Sequence, residues 1–283
     1  MAKVYDALRR AEEERKRRSG APDSAPSTPL ELEPARPQAK APQTPRPSLW
    51  RRLTASASSH EPGAGDFNKR RISLLQPDSF VAEQFRSLRG RIDALSAQRP
   101  IRTLAITSPL SGEGKTTAAI NLAIVTSLSL GRRVLLIDCD LRKPKIHQAL
   151  GLRPEFGLTE VLCDEVGLDS AILKVDGMNL EVLAVRGKPP NPSELLGSPR
   201  MHELVEDVAR RYDRVILDTP AALGVPDAKA VSELCDGLIM VVRADVTPQT
   251  EIEAALEVLD RRRLLGLVLN GAQVEQGRYG YAT

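Results

Sequence analysis

A loop of small residues that ends in a lysine and two threonines is the part of the sequence best suited to bind phosphate. The segment SPLSGEGKTT, residues 108–117, lies between an apolar run typical of a strand and a stretch typical of a helix. Small residues let backbone N–H groups close around nucleotide phosphates, a lysine reaches those phosphates, and a threonine hydroxyl is a ligand for Mg²⁺. Pro109 stands where such loops usually have their first glycine. The pattern predicts a site for ATP and Mg²⁺ formed by Ser111, Gly112, Glu113, Gly114, Lys115, Thr116 and Thr117.

Three aspartates follow apolar segments and are the candidate partners of this loop. Asp138 and Asp140 come at the end of VLLIDCD, and Asp218 ends RVILD. Ligands of open α/β sheets bind at the carboxyl ends of the strands, and residues two apart on an extended chain point to the same side. An aspartate after an apolar strand typically holds Mg²⁺ in a protein with a phosphate-binding loop. A solvated strand end is the plainer interpretation of each aspartate, but the three together with the loop predict one site.

The elements that must position these residues alternate along the chain. Apolar runs predict strands at IRTLAIT, RVLLID, LEVLAV, RVILD, GLIMVV and LGLVLN. Helices are predicted at residues 78–96, 115–130, 199–212, 226–235 and 248–262, with Gly131 ending the second. Continuous apolar runs are typical of strands that are buried on both faces. We therefore predict an α/β fold of the P-loop nucleoside-triphosphatase class, with a doubly wound and mostly parallel sheet.

Composition divides the chain of 283 residues into four parts. Residues 1–18 predict a short charged helix, and residues 19–66 contain nine of the 21 prolines with almost no large apolar residues. A segment of this kind buries too little surface to offset its ordering entropy, so we predict a disordered linker. The folded domain is predicted at residues 67–271, and residues 272–283 form a flexible tail that contains Tyr279 and Tyr281.

Charge and composition exclude several classes of protein. Residues 67–283 contain 28 basic and 28 acidic side chains, which argues against a basic domain that binds nucleic acid. No apolar stretch reaches the length of a membrane span, and the N-terminus has no apolar core typical of a secretory signal. The three widely spaced cysteines suit a reducing compartment. These features predict a cytoplasmic protein.

With these motifs in place, the sequence resembles the bacterial tyrosine kinases, which are relatives of the ParA/MinD-type ATPases. The resemblance extends over residues 67–271 and includes the GKT loop, the DxDxR and DTP segments, NPSELLGSPRM and LGLVLNG. It implies that Lys115 holds phosphates, that Thr116, Asp140 and Asp218 serve the metal, and that Asp138 accepts the proton of a tyrosine, although Asp138 and Asp140 can exchange roles. It also implies that the phosphoacceptors are Tyr279 and Tyr281 in the tail.

The resemblance implies an assembly and a partner as well. Glu83, Arg86 and Arg89 match an E-x-x-R-x-x-R motif that packs subunits of the family into a ring, whereas spacing alone shows only neighbours on a helix surface. The expected partner is a polysaccharide-copolymerase-type membrane protein, which recruits the kinase to the inner membrane. The expected role is regulation of exopolysaccharide or capsule polymerisation and export.

Two other functions stay open from the sequence. A ParA/MinD-type ATPase switch is one, although Leu110 stands where those loops have a signature lysine. A non-catalytic scaffold that binds ATP is the other, and a tail with only two tyrosines is sparse for a kinase of this family. Arg142, Lys143 and Lys145 are candidate ligands of nucleotide phosphates or of an acidic partner, with a plain exposed loop as the alternative.

Overall fold

The structure is a computed structural model, and it describes residue 76, residues 78–129 and residues 131–272. The predicted N-terminal helix, the linker and the tyrosines of the tail lie outside the described residues. The domain boundaries at 66 and 271 therefore stay predictions.

Within the described residues, helices and strands alternate as the sequence predicts. The strands are β1 (Thr103–Thr107), β2 (Val134–Asp138), β3 (Ile172–Lys174), β4 (Leu180–Leu183), β5 (Arg214–Asp218), β6 (Gly237–Arg243) and β7 (Leu264–Asn270). The helices are α1 (Phe80–Ser96), α2 (Lys115–Ser127), α3 (Ile146–Leu150), α4 (Leu158–Leu162), α5 (Leu168–Ala171), α6 (Pro192–Leu196), α7 (Pro199–Arg211), α8 (Asp227–Glu233) and α9 (Gln249–Val258).

The strands form a mostly parallel sheet with the order β3-β4-β2-β5-β1-β6-β7. Every neighbouring pair is parallel except β3 and β4, which are antiparallel at one edge. The predicted doubly wound α/β fold is confirmed. The sequence analysis missed β3 and the short helices α3 to α6, because elements of three to five residues are too short to show a hydrophobic period.

Each face of the sheet has its own hydrophobic core. Successive residues of a strand point to opposite faces, so Leu135 and Ile137 of β2 pack with α7, α8 and α9, whereas Leu136 packs with α1 and α2. This double burial explains why the strands are continuous apolar runs.

Two helix ends show how local chemistry sets the boundaries. Ser198 caps α7, since its hydroxyl accepts a hydrogen bond from the Met201 N–H, and Pro199 opens the helix as predicted. Helix α2 ends at Ser127, earlier than the predicted residue 130. The Ser127 hydroxyl donates to the Ile124 carbonyl, while Gly131 adopts the left-handed conformation in the turn that follows.

Gly157 provides a test of how tightly α4 is packed against the strand layer. A Cβ atom at this position would lie 2.4 Å from the carbonyl oxygen of Ala184, which follows β4. We expect Gly157→Ala to lower the free energy of unfolding by about 1–3 kcal/mol, because backbone must move to admit the methyl group.

The measurement is urea unfolding of the full chain, with Gly167→Ala as the matched control. Gly167 has φ −71°, and no atom outside its immediate neighbours lies within 4 Å of the position that a methyl group would occupy. Its substitution should therefore change the free energy of unfolding by less than about 0.5 kcal/mol. Equal stability of the two variants would contradict the close packing of α4.

Candidate functional site

The phosphate-binding loop connects the end of β1 to the start of α2, and two glycines determine its shape. Gly112 and Gly114 have φ angles of +91° and +99°, a conformation that side chains other than glycine rarely adopt. Helix α2 begins at Lys115 immediately after the loop. The first N–H groups of that helix and its dipole therefore point at the loop, an arrangement suited to bind phosphate.

Two residues from other elements clamp the loop from the side. The buried carboxylate of Glu113 accepts hydrogen bonds from the Leu110 N–H and from the Thr247 hydroxyl. The Asn270 side chain, at the end of β7, donates to the Glu113 carbonyl at 2.8 Å. A Cβ atom at Gly114 would lie 2.1 Å from the Asn270 amide nitrogen, so a side chain there would displace this clamp, and the φ of +99° also favours glycine.

Lys115 brings two of the predicted aspartates into one buried cluster. Its Nζ lies 2.8 Å from Asp140 Oδ2 and 3.8 Å from Asp218 Oδ1, and it is 3.5 Å from the Thr116 hydroxyl. The side chains of Lys115, Asp140 and Asp218 are 9%, 10% and 1% exposed. The structure thus brings together the lysine of the loop and the carboxyl ends of β2 and β5.

Asp138 and Asp140 are held by the backbone that follows them. Asp138 Oδ1 accepts from the Asp140 N–H at 3.2 Å, and its Oδ2 accepts from the Lys145 and Ile146 N–H groups at 3.0 and 3.1 Å. Asp140 Oδ1 accepts from the Lys143 N–H at 3.0 Å. Residues 139–146 therefore wrap both carboxylates, and we call this segment the aspartate loop.

Burial and charge shift the protonation equilibria of this cluster. Burial alone lowers the pKa of Lys115, but the carboxylates of Asp218 and Asp140 outweigh burial and raise that pKa. Burial raises the pKa of Asp218, against the opposing effects of Lys115 and Thr116. Burial also raises the pKa of Asp138, and the negative charge of Asp218 adds to that increase. Lys115 therefore stays charged, whereas the excess of carboxylates makes a further cation favourable.

The cluster suits Mg²⁺ with a nucleotide better than it suits a metal bound by protein alone. Neither carboxylate oxygen of Asp218 has a hydrogen-bond partner at normal distance among the described residues, although both are buried. Within the same residues, no group of three His, Cys, Asp or Glu side chains forms a metal cage. Mg²⁺ commonly uses one or two carboxylates together with waters and substrate phosphates, so this donor set fits it.

Arg142 forms an ion pair within the protein that the sequence did not reveal. Its guanidinium pairs with the fully buried carboxylate of Asp227 at 2.8 Å and donates to the Ser193 hydroxyl at 2.8 Å. Ser193 in turn donates to Asp227 at 2.5 Å. Arg142 thus ties the aspartate loop to α6 and α8, and its ion pair is made within the protein.

Most of the predicted site residues lie in the phosphate-binding loop or in the buried cluster beside it, but the α1 residues do not. Ser111 and Gly112 are exposed in the loop, and Thr116 and Thr117 lie half-buried at the start of α2. On α1, Arg86 pairs with Glu83, and Arg89 donates to the Val125 carbonyl at 2.6 Å. Val125 is near the far end of α2, about 15 Å along the helix from the loop.

Sequence reasoning missed the clamp residues and the partners of Arg142. Asn270 and Ser193 lie in LGLVLNG and NPSELLGSPRM, two of the segments that resemble the family, and Thr247 lies in the segment VTPQ. That resemblance was a signal for their importance, but their contacts span 134, 157 and 51 positions in sequence. Spacing could not reveal those contacts.

Comparison with known protein families places this site in a nucleotide-binding family. A family model described as an AAA domain matches residues 101–261, which is more than half of the chain. The tyrosine-protein kinase YwqD of Bacillus subtilis is 39% identical over 213 residues, which cover 74% of this chain and 90% of YwqD. The succinoglycan biosynthesis transport protein ExoP of Rhizobium meliloti is 36% identical over 74% of this chain, which corresponds to 27% of ExoP.

Solved structures give the same relationship. The kinase domain of the Escherichia coli tyrosine kinase ETK is 31% identical, with a TM-score of 0.68 over 75% of this chain and 83% of that domain. MinD of Pyrococcus horikoshii, solved with Mg-ADP, is a more distant neighbour at 25% identity and a TM-score of 0.51, covering 59% of this chain and 69% of MinD. The chain that carries this sheet, loop and set of aspartates thus belongs to the bacterial tyrosine kinase family, whose P-loop fold it shares with MinD-type ATPases.

Proposed function

We propose that this protein is an ATP-dependent protein-tyrosine kinase that phosphorylates tyrosines of its own tail and thereby regulates exopolysaccharide or capsule polymerisation and export. The observation that carries the proposal is the buried cluster of Lys115, Asp140 and Asp218 at the phosphate-binding loop, in a chain of this family. Phosphoryl transfer mainly needs alignment of the reactants and neutralisation of charge, and this cluster supplies groups for both.

Each residue of the loop has a role in holding ATP. Backbone N–H groups of residues 111–117 bind the phosphates, and Lys115 turns from Asp140 towards their negative charge. Thr116, Asp140 and Asp218 would hold Mg²⁺, which would neutralise negative charge on the nucleotide phosphates. The clamp from Thr247 and Asn270 keeps Glu113 in place, so the loop keeps its shape when the nucleotide leaves.

Transfer forms a bond between the tyrosine oxygen and the γ-phosphorus and breaks the bond between that phosphorus and the bridging oxygen of ADP. The tyrosine proton passes to an aspartate. Asp138 suits this role because its pKa is raised and its Oδ1 accepts only one hydrogen bond, which leaves a lone pair for the proton. Asp140 is the alternative acceptor, since Asp138 is fully buried and Asp140 Oδ2 becomes available when Lys115 turns to the phosphates.

The proposed phosphoacceptors are Tyr279 and Tyr281 of another subunit. The tail follows β7, whose end lies beside the phosphate-binding loop through Asn270. An extended chain from Ala272 to Tyr281 spans about 30 Å, which is enough to enter a neighbouring subunit. We propose that Glu83, Arg86 and Arg89 on the surface of α1 contribute to a homo-oligomer, with a ring as the arrangement that delivers each tail to its neighbour.

The comparisons also support a membrane partner. ExoP contains a kinase-like region of this kind within a much longer transport protein, whereas YwqD has nearly the length of the matched region. No helix among the described residues has the length and apolar character needed to cross a membrane. We propose that a separate polysaccharide-copolymerase-type adaptor recruits this cytoplasmic protein to the inner membrane, and that nucleic acid is not a partner.

A ParA/MinD-type ATPase switch is the second candidate function, because the fold neighbours include MinD with Mg-ADP. The two functions predict different products from γ-labelled ATP. The kinase gives labelled phosphotyrosine on the chain, the switch gives only released phosphate, and a non-catalytic scaffold gives neither.

The first prediction is that the full chain becomes labelled on tyrosine and that Lys115→Met abolishes the label. Lys115 also neutralises the buried aspartates. Lys115→Arg is therefore included as a second variant, because it keeps the positive charge but alters the contact with phosphate. The exposed Lys229 gives the control variant Lys229→Met, which should be labelled normally. Circular dichroism checks that each variant is folded, and normal phosphotyrosine in folded Lys115→Met would refute the nucleotide assignment.

The second prediction concerns the metal. Asp218→Asn should reduce Mg²⁺-dependent labelling by about 100-fold or more, because a neutral amide is a poor ligand at a site that must balance phosphate charge. Asp260→Asn, at a carboxylate that pairs with Arg262 and Arg263 outside the buried cluster, is the matched control and should keep its activity. A Mg²⁺ titration of both variants is the measurement, and an unchanged Asp218→Asn would show that β5 does not supply a metal ligand.

The third prediction is that transfer occurs between subunits. A Lys115→Met chain with an intact tail is mixed with an active chain that ends at Ala272, and labelling is located by mass spectrometry. Tyr279 and Tyr281 of the inactive chain should become phosphorylated, and a Tyr279→Phe/Tyr281→Phe version of that chain should not. Absence of label from the inactive chain would exclude transfer between subunits.

A further inference from the structure

A basic cleft lies beside the proposed catalytic cluster and has no role in the transfer step. It has a volume of about 400 Å³ and opens to solvent between the aspartate loop, α3 and the segment after β4. Its lining includes Lys143, Lys145, His147, Gln148, Arg186 and Lys188. The volume lies within the range of pockets that bind small ligands or single side chains.

The charges of this basic cleft all have one sign. Four lysine or arginine side chains line it, and no aspartate or glutamate does. Among the described carboxylates, none lies within ion-pair distance of these four cations, whereas Arg142 of the same loop is paired. The Nδ1 atom of His147 is buried and has no hydrogen-bond partner in the described part of the chain. Lys145 also acts on the charge of Asp218, but four cations without an ion pair around a concave surface favour an anionic ligand, and a phosphate group above all.

The basic cleft is built on the same backbone that holds the two aspartates. The N–H groups of Lys143 and Lys145 donate to Asp140 and Asp138, so two residues that line the basic cleft also hold the aspartates of the proposed catalytic cluster. The β4 wall that leads to Arg186 and Lys188 is paired directly with β2. The backbone that orients Asp138 therefore continues directly into the lining of the basic cleft.

We propose that the basic cleft binds the phosphorylated tyrosine of a tail from another copy of this chain and retains it after transfer. This inference rests on the proposed kinase function and adds a product-binding site to it. The tail residues QVEQGRYGYAT contain one acidic and one basic side chain, so the unmodified tail is nearly neutral. Each phosphate adds about −1.5 to −2 charges, so phosphorylation itself creates the ligand that the basic cleft fits.

A phosphotyrosine fits the observations better than the other anions available. The phosphates of ATP are accounted for by the glycine loop and Lys115 after β1, which lies on the other side of β2 from β4 and the residues that follow it. An acidic peptide would offer carboxylates one by one, whereas the basic cleft gathers several donors around a single volume, as a phosphate with three oxygens requires.

The test is a binding measurement with a synthetic peptide of residues 273–283, amidated, labelled with fluorescein and phosphorylated at both tyrosines. The protein is the full chain saturated with Mg-ADP, so that the phosphate-binding loop is filled. Fluorescence anisotropy should show that the phosphorylated peptide binds at least about tenfold more tightly than the unmodified peptide. A peptide with glutamate at both tyrosine positions should bind no better than the unmodified one.

The variants change the residues of the basic cleft that follow β4 and leave the aspartate loop intact. Arg186→Gln/Lys188→Gln should weaken binding of the phosphorylated peptide by about tenfold or more. Lys174→Gln/Lys229→Gln removes the same charge from exposed positions elsewhere and should leave binding unchanged. Circular dichroism should show that both double variants are folded, and Lys174→Gln/Lys229→Gln should keep the initial rate of labelling by γ-labelled ATP.

Three outcomes would overturn the proposal. The first is an equal loss of affinity for the phosphorylated peptide in the two double variants. The second is that the glutamate peptide binds as tightly as the phosphorylated peptide. The third is that the phosphorylated peptide binds only when Mg-ADP is absent, which would locate it at the phosphate-binding loop. Because the peptide is phosphorylated chemically, the binding result does not depend on kinase activity. Failure of the kinase proposal would appear separately, as an absence of phosphotyrosine after incubation with ATP.

Discussion

The site depends on the buried ion pairs that the Lys115 ammonium group forms with Asp140 and Asp218. In the parallel sheet, the neighbouring strands β2 and β5 have their carboxyl ends side by side, and this places Asp138, Asp140 and Asp218 together, buried from water. Their mutual repulsion and loss of hydration would be costly, and Lys115 at 2.8 Å from Asp140 offsets part of that cost. The remaining excess of negative charge favours a divalent cation at the site, and it stabilises the charged form of the lysine that we propose binds phosphate.

The phosphate-binding loop has its shape imposed from outside as well as by its own sequence. Glycines permit the left-handed turns, but Glu113 keeps its position because Thr247 and Asn270 hold it from two other elements. Asn270 ends the last strand of the described sheet and lies just before the predicted tail. The same residue therefore connects the nucleotide loop to the segment that contains the proposed phosphoacceptors.

The aspartate loop connects the proposed catalytic cluster to the basic cleft. Its backbone N–H groups orient the carboxylates of Asp138 and Asp140, its Arg142 ties it to the buried Asp227, and its lysines face the basic cleft. One segment thus combines orientation of the acids with a surface of opposite charge. That combination suits a reaction in which a neutral side chain enters and an anionic one leaves.

Sequence alone determined the fold class, the phosphate-binding loop and the three aspartates, because continuous apolar strands and a glycine-rich loop are local patterns. It did not predict β3, the short helices or the end of α2 at Ser127, because their limits depend on packing and single hydrogen bonds. The clamp on Glu113, the pairing of Arg142 with Asp227 and the basic cleft were decided by tertiary structure. Each joins residues far apart in the chain, and a spacing pattern contains no information about which distant side chains meet when the sheet closes.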